Sequence, residues 1–253
     1  MIKVLHKTFD VLEYVAARRG QPVLPQEVVK DLDLPQPTCV RIMKDLADLG
    51  YLQQLGARKG YVLGPVAYFL ADGRRYRQEL YQIADPEIDN CARMLGQSVL
   101  LATRHGGWRQ ILCHHNYNPN MMIYCSQPRY DDLYFTASGR LLLAYAPEPE
   151  LVNIVDEMGL PPAEQWPEAA VSMDALKVEL QRIRNDRFVK WSPGMTQSFN
   201  VVAFALPLAD GTMAAVGASW PMENSSISES CIKEVGLLTK KIAARLNQNV
   251  IGG

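Results

Sequence analysis

Thr38, Arg41 and Lys44 recur every third position, which gathers a hydroxyl, a guanidinium and an ammonium on one side of a helix. Behind them Cys39, Ile42, Met43, Leu46 and Leu49 follow i, i+3, i+4, i+7 and i+10, an apolar stripe that anchors such a helix. These groups suit recognition rather than bond-making. Arginine fits the guanine edge and the amide of Gln36 the adenine edge, while Lys44 suits phosphate oxygens. Arg58 and Lys59, in the turn between Gly56 and Gly60, add a cationic tip that can also meet phosphates. The competing reading is a helical protein-interaction or scaffold module whose polar face is merely solvated.

A second cluster, Cys113-His114-His115 with Cys125, holds ligand types that zinc accepts. In a strand, residues 113 and 115 share a face, so Cys113, His115 and Cys125 could converge. No second Cys/His motif accompanies them, and the expectation is neither a bound metal nor a cofactor. Catalytic motifs are missing: there is no Gly-x-Ser-x-Gly, Gly-x-Gly-x-x-Gly or Gly-x-x-x-x-Gly-Lys. Four histidines, at 6, 105, 114 and 115, leave few bases for Ser138 or Cys125. No catalytic residue is assigned, and a carboxylate-based small-molecule enzyme stays as the weaker alternative.

The elements that must position these groups follow from periodicity. A helix over Val4–Ala17 presents Val4, Leu5, Phe9, Leu12, Val15 and Ala16 inward. Val28, Val29 and Leu32 mark a second helix, stopped by Asp33-Leu34-Pro35. The polar-faced helix comes third, with Pro37 in its first turn and Gly50 at its end. Tyr51–Leu55 and Tyr61–Leu63 then pair as a hairpin, completing a winged helix-turn-helix. Residues 65–95 read as one connector helix through Pro86. Beyond it the period changes. Ser98–Arg104 and Arg109–His115 form a hairpin, and Met121–Ser126 and Phe188–Trp191 are short strands. Asn200–Leu208 and Thr212–Trp220 form another hairpin, with helices at 136–146, 148–158, 173–185 and 227–247. Strand pairs separated by helices point to an α/β sensor domain.

The 253 residues are 48% hydrophobic, enough for two modest cores. Net charge is −1, but residues 1–77 carry twelve basic against eight acidic residues, or +4, and the remainder carries −5. A basic head on an acidic body fits nucleic-acid contact by one domain. No apolar run approaches the roughly 20 residues of a membrane span, and the start lacks a signal-peptide core. Five widely spaced cysteines without Cys-x-x-Cys fit reduced thiols, hence the cytoplasm.

Leu34-Pro35-Gln36-Pro37-Thr38-Cys39-Val40-Arg41-Ile42-Met43, followed by Gly50-Tyr51-Leu52 and Tyr61-Val62-Leu63-Gly64, resembles the IclR family of bacterial transcription regulators. Thr38 and Arg41 match the family pattern, whereas Gln36, Pro37 and Val40 stand where Lys, Ser and His are usual. The likeness continues through Thr136–Ala144, where Gly139-Arg140 replaces Gly-Lys, and through Leu206–Ser219. It implies an α+β chain: a winged helix-turn-helix domain over 1–64, a connector helix over 65–95 and a GAF-like α/β effector-binding domain over 96–253. It implies a homodimer or homotetramer on a near-palindromic double-stranded operator, with contacts from Gln36, Pro37, Thr38, Val40, Arg41, Lys44, Arg58 and Lys59. It also implies a small-metabolite pocket, often for a carboxylate, in which Ala137 and Ser138 at a helix start face Gly217 and Ser219, with Ile123 and Tyr124 as a wall. Trp191 and Ala203 fall where the family often has an acid and a Cys or Ser. With Phe204, Trp191 would enlarge the aromatic surface and favour an aromatic acid, unless it simply packs in the core.

Overall fold

The computed structural model describes residues 3–251 except 57, 72–75, 122–124, 126–128, 192–198 and 224–226, and no side chain is described at 71 or 249–251. The chain divides after Tyr76 into two compact units.

In the first unit, α1 (Lys3–Ala17), α2 (Pro25–Asp31) and α3 (Gln36–Asp48) are followed by β1 (Leu52–Gly56), β2 (Gly60–Leu63) and α4 (Pro65–Ala71). β1 and β2 pair antiparallel, with Leu52 opposite Leu63. Cys39, Ile42, Met43 and Leu46 of α3 join Val11, Val15, Val28, Leu52 and Tyr61 in one core. Leu49 drops out of the expected stripe. It is the C-cap of α3 and 65% exposed, because Gly50 turns the chain with a φ of 79°. The expected inward face of α1 also shifts. Val4, Leu5 and Phe9 are exposed, and Val11 and Val15 are buried with Leu12 and Tyr14 packed beside them, because only the second half of α1 contributes to this core.

The second unit opens with α5 (Gln78–Leu95), so the stretch read as one connector is two helices, α4 and α5. Arg77 caps α5 in the left-handed conformation, φ 53°, and cannot continue a helix from before it. Leu80, Ala84, Ile88, Cys91 and Ala92 then bury α5 in the core of this unit, making it a structural wall.

Five antiparallel strands follow in the order β4-β3-β7-β6-β5: β3 (Ser98–His105), β4 (Trp108–Asn116), β5 (Phe188–Trp191), β6 (Phe199–Pro207) and β7 (Met213–Pro221). α5 and α9 (Ser228–Ile251) cover one face. α6 (Ala137–Ala144), α7 (Glu148–Met158) and α8 (Met173–Asp186) contribute the core on the other. Alternation assigns the strands: Val201, Ala203 and Ala205 point to α6, Val202 and Leu206 to α9. The register of β3 with β4 slips opposite Leu112, so Ile111 joins the α6 side and Cys113 the α5 side. Met121 and Cys125 lie outside any strand, and the rest of the strand expected there falls outside the described residues. Among the described residues, no helix is long and apolar enough to cross a membrane.

Every residue of α6 is buried. Thr136 caps it by accepting from the Gly139 N–H at 3.0 Å. Gly139 permits the approach of the preceding loop, since a Cβ there would lie 2.6 Å from the Leu133 carbonyl oxygen. On the other face, Glu87 of α5 is nearly buried and accepts from Lys241 at 2.6 Å and Arg245 at 2.8 Å, tying α5 to α9.

Candidate functional site

Two sites emerge, one in each unit. On α3, burial of the apolar stripe leaves Gln36, Pro37, Val40, Arg41 and Lys44 exposed, with Thr38 half-buried beside them. Arg58 and Lys59 are exposed in the β1–β2 turn. The eight expected contact residues therefore occupy the solvent side of the helix and the wing. α3 begins after Pro35 with Pro37 in its first turn, so one N–H that would lack a helical partner is already absent.

In the second unit a cavity of about 200 Å³ opens between the start of α6 and the sheet. Ala137 and Ser138 line it together with Gly217 and Ser219 of β7, as expected for the helix start and the facing strand. Leu100, Ile111, Phe199 and Val201 supply apolar wall. A Cβ at Gly217 would press to 3.1 Å from the Val202 carbonyl oxygen of the neighbouring strand.

Sequence reasoning missed the strongest polar feature. Arg109 of β4 is only 5% exposed and lines the cavity with Asp132. Its Nε and Nη2 donate to Asp132 at 2.9 and 2.6 Å, and its Nη1 donates to Ser138 Oγ at 3.0 Å. The Tyr130 ring lies 5.4 Å from its guanidinium carbon. One signal was available: Arg109 shares a strand face with apolar Ile111, which marks a charge turned inward. Nothing local in the sequence points to Asp132.

Other expected effector residues sit elsewhere. Ile123 and Tyr124 fall outside the described residues. Ala203 is fully buried on the α6 side of β6 but is not among the described cavity-lining residues. Neither is Trp191. Its ring centre lies 4.2 Å from the guanidinium carbon of Arg140, which the Trp166 ring also approaches to 4.5 Å. Burial lowers the Arg140 pKa to about 10; the guanidinium donates to the Tyr134 and Gln165 carbonyls, at 2.9 and 2.5 Å. Phe204 stacks on Phe188, 5.4 Å away, and contributes to the α9 side. Trp191 and Phe204 thus pack against Arg140 and Phe188, while among the described lining residues Phe199 and Tyr130 are the aromatics at the cavity.

A larger depression of about 400 Å³ lies between the start of α5, the β6–β7 turn and α9. Arg77 there is tied to Asp210 at 3.0 Å and to Thr212 at 3.0 Å. It also lies at a helix start, but its ion pair is more exposed than Arg109 of the smaller cavity, which is the better ligand site.

The Cys-His cluster disperses. Cys113 faces α5, whereas Cys125 lines the cavity on the opposite face of the sheet. His115 contacts Asp85 at 3.0 Å and Asp89 at 3.2 Å, and His114 Nε2 lies 2.9 Å from Ser98 Oγ. Among the described residues no three His, Cys, Asp or Glu side chains are grouped to hold a metal.

These features meet in one family. The bacterial transcriptional regulator IclR C-terminal domain matches residues 75–244, and the IclR helix-turn-helix domain matches residues 4–56. The chain belongs to the IclR family: it is a transcription regulator, not an enzyme, with a helix-turn-helix domain for DNA and a C-terminal domain for a small-molecule effector. The fold is shared with solved structures. An IclR homologue from Microbacterium hydrocarbonoxydans, complexed with 4-hydroxybenzoate, superposes with a TM-score of 0.74 at 19% identity, covering 97% of this chain and 99% of that one. The Thermotoga maritima IclR gives 0.64 at 20% identity, covering 97% and 99%. An IclR family regulator from Brucella abortus gives 0.66 at 19%, covering 97% and 93%. No curated protein matches the chain by sequence.

His114 makes stability pH-dependent. Burial, reinforced by neighbouring His115, lowers its pKa in the folded chain, so the unfolded chain takes up the proton first. Stability is therefore complete above about pH 6.5 and declines as pH falls below it. Thermal unfolding between pH 7.5 and 5 should show a smaller loss of midpoint for His114→Gln than for the natural chain. Identical slopes would remove His114 from this role.

Proposed function

We propose that the chain is a ligand-responsive regulator that binds a near-palindromic operator as a dimer or dimer of dimers and is controlled by a small carboxylate. The DNA reading rests on α3: Arg41 and its polar neighbours stand in solvent because the stripe from Cys39 to Leu46 is locked beneath them. Gln36, Thr38 and Arg41 would read base edges in the major groove, with Pro37 and Val40 against the bases and Lys44, Arg58 and Lys59 on phosphates. Such a regulator works where the chromosome is, and we place it in the cytoplasm.

Self-association is supported by apolar side chains left in solvent. Val4, Leu5 and Phe9 of α1 and Tyr68, Phe69 and Leu70 of α4 are each at least half exposed, Phe69 to 82%. Covering such surface with a second copy removes it from water. A two-fold pair then calls for two operator half-sites.

The effector reading rests on a buried guanidinium at a helix start. Arg109, the Ser138 hydroxyl and the first N–H groups of α6 favour a carboxylate, and Gly217 and Ser219 close the opposite side. An apolar cavity of about 150 Å³ holds benzene, so about 200 Å³ admits a short-chain acid or a single ring with one carboxylate. The 4-hydroxybenzoate held by the Microbacterium homologue is of that size. Regulation requires the acid to bind the DNA-competent and incompetent states unequally.

Arg41→Ala should weaken operator binding by about 1–3 kcal/mol and relax base preference. Lys59→Ala should weaken binding to all sequences and flatten the salt dependence. Footprints on DNA flanking the gene, at several ionic strengths, check both; unchanged affinity in the Arg41 variant would sink the recognition role. Sedimentation should find a dimer or tetramer that Phe69→Ser weakens, and a monomeric natural chain would end the assembly reading. In thermal-shift assays, benzoate-sized or four-carbon monoacids should raise the melting midpoint of the natural chain but not of Ser138→Leu; equal shifts in both proteins would move the ligand elsewhere.

A further inference from the structure

Building on the carboxylate reading of the cavity, we propose that Asp132 is a specificity-determining residue: as the internal counter-ion of Arg109 it admits a monoanionic effector and rejects a dianionic one. A guanidinium carries five N–H donors. Three are engaged, those of Nε and Nη2 toward Asp132 and one of Nη1 toward Ser138. One donor each on Nη1 and Nη2 is left, enough for a single further carboxylate while Asp132 stays in place.

Charge decides the rest. Among the described lining residues Arg109 is the one cation and Asp132 the one carboxylate, so the cavity is neutral before a ligand enters. A monoacid brings one net negative charge, which the N–H groups at the start of α6 and the Ser138 hydroxyl can offset. A second carboxylate would lie against Leu100, Ile111, Phe199 and Val201 with no further cation among these residues, and an unpaired buried charge is strongly disfavoured.

Asp132 is fixed in that position. Its carbonyl accepts from the Phe135 N–H at 3.0 Å and from Thr136 Oγ1 at 3.4 Å, and Thr136 is the cap of α6. The bridge between Arg109 and Tyr130, with N···O distances of 2.9 and 2.8 Å, holds the same loop to β4. The counter-ion is therefore built into the helix start rather than hung from a mobile surface.

The test is calorimetric titration of the full chain and of Asp132→Asn with acids matched in carbon skeleton: butanoate against succinate, and 4-methylbenzoate against terephthalate. The natural chain should prefer the monoacid of a bound pair by on the order of tenfold, and Asp132→Asn should erase or reverse that ratio. A natural chain that binds the diacid equally well overturns the assignment, as does an Asn variant with an unchanged ratio. Should the Asn protein not fold, Asp132→Ser takes its place: it also removes the charge, so a lost preference supports the role and a retained one overturns it. If the natural chain still binds operator but none of these acids, the carboxylate reading itself fails and the role of Asp132 falls with it; binding with the wrong ratio removes Asp132 alone.

Discussion

The second unit is organised by the burial of α6 from end to end. A helix without a solvated face must place each residue against a neighbour and satisfy its first N–H groups locally. Thr136 does the latter for Gly139, and the bare Gly139 lets the Leu133 loop pass close above. Arg140, one residue later, is enclosed by Trp166 and Trp191, with two carbonyls receiving its donors. Such a helix has little freedom to shift. The ligand cavity forms at its start, where Ser138 and the sheet-borne Arg109 are held 3.0 Å apart.

That arrangement explains why the charged groups of the pocket sit together at one end. The apolar wall comes from β3, β4 and β6, which the strand alternation turns toward α6. The charged end needs one inward-facing arginine and one loop aspartate, placed 23 residues apart in sequence. In the first unit the same economy appears on a helix surface. The stripe from Cys39 to Leu46 consumes one side of α3, and what is left over is the DNA face.

Much of this was readable from residue order. The helix-turn-helix, its wing, both sheet hairpins and the terminal helix follow from periods of 3.6 and 2 interrupted by Gly and Pro. Where periodicity misled, the reason is physical. Val4, Leu5 and Phe9 look like core residues but exceed what this unit can cover. The helical pattern across 65–95 gave no warning that Arg77 adopts a left-handed turn. Trp191 and Phe204 looked like ligand surface because aromatic residues serve packing and binding equally well; only their neighbours, Arg140 and Phe188, show which.

Residue order by itself determined which helix faces water with Arg41 and Lys44, because that depends on local periodicity and burial of a nearby stripe. It also determined that Ser138 begins a helix and that Gly217 and Ser219 share a strand face. Only the tertiary structure decided that Arg109 and Asp132 meet beside them, that Cys113 and Cys125 lie on opposite sides of the sheet, and that α5 belongs to the effector domain's core. Pairings of that kind depend on strand register and on where a loop returns, and both are set by packing across the whole domain rather than by any short run of residues.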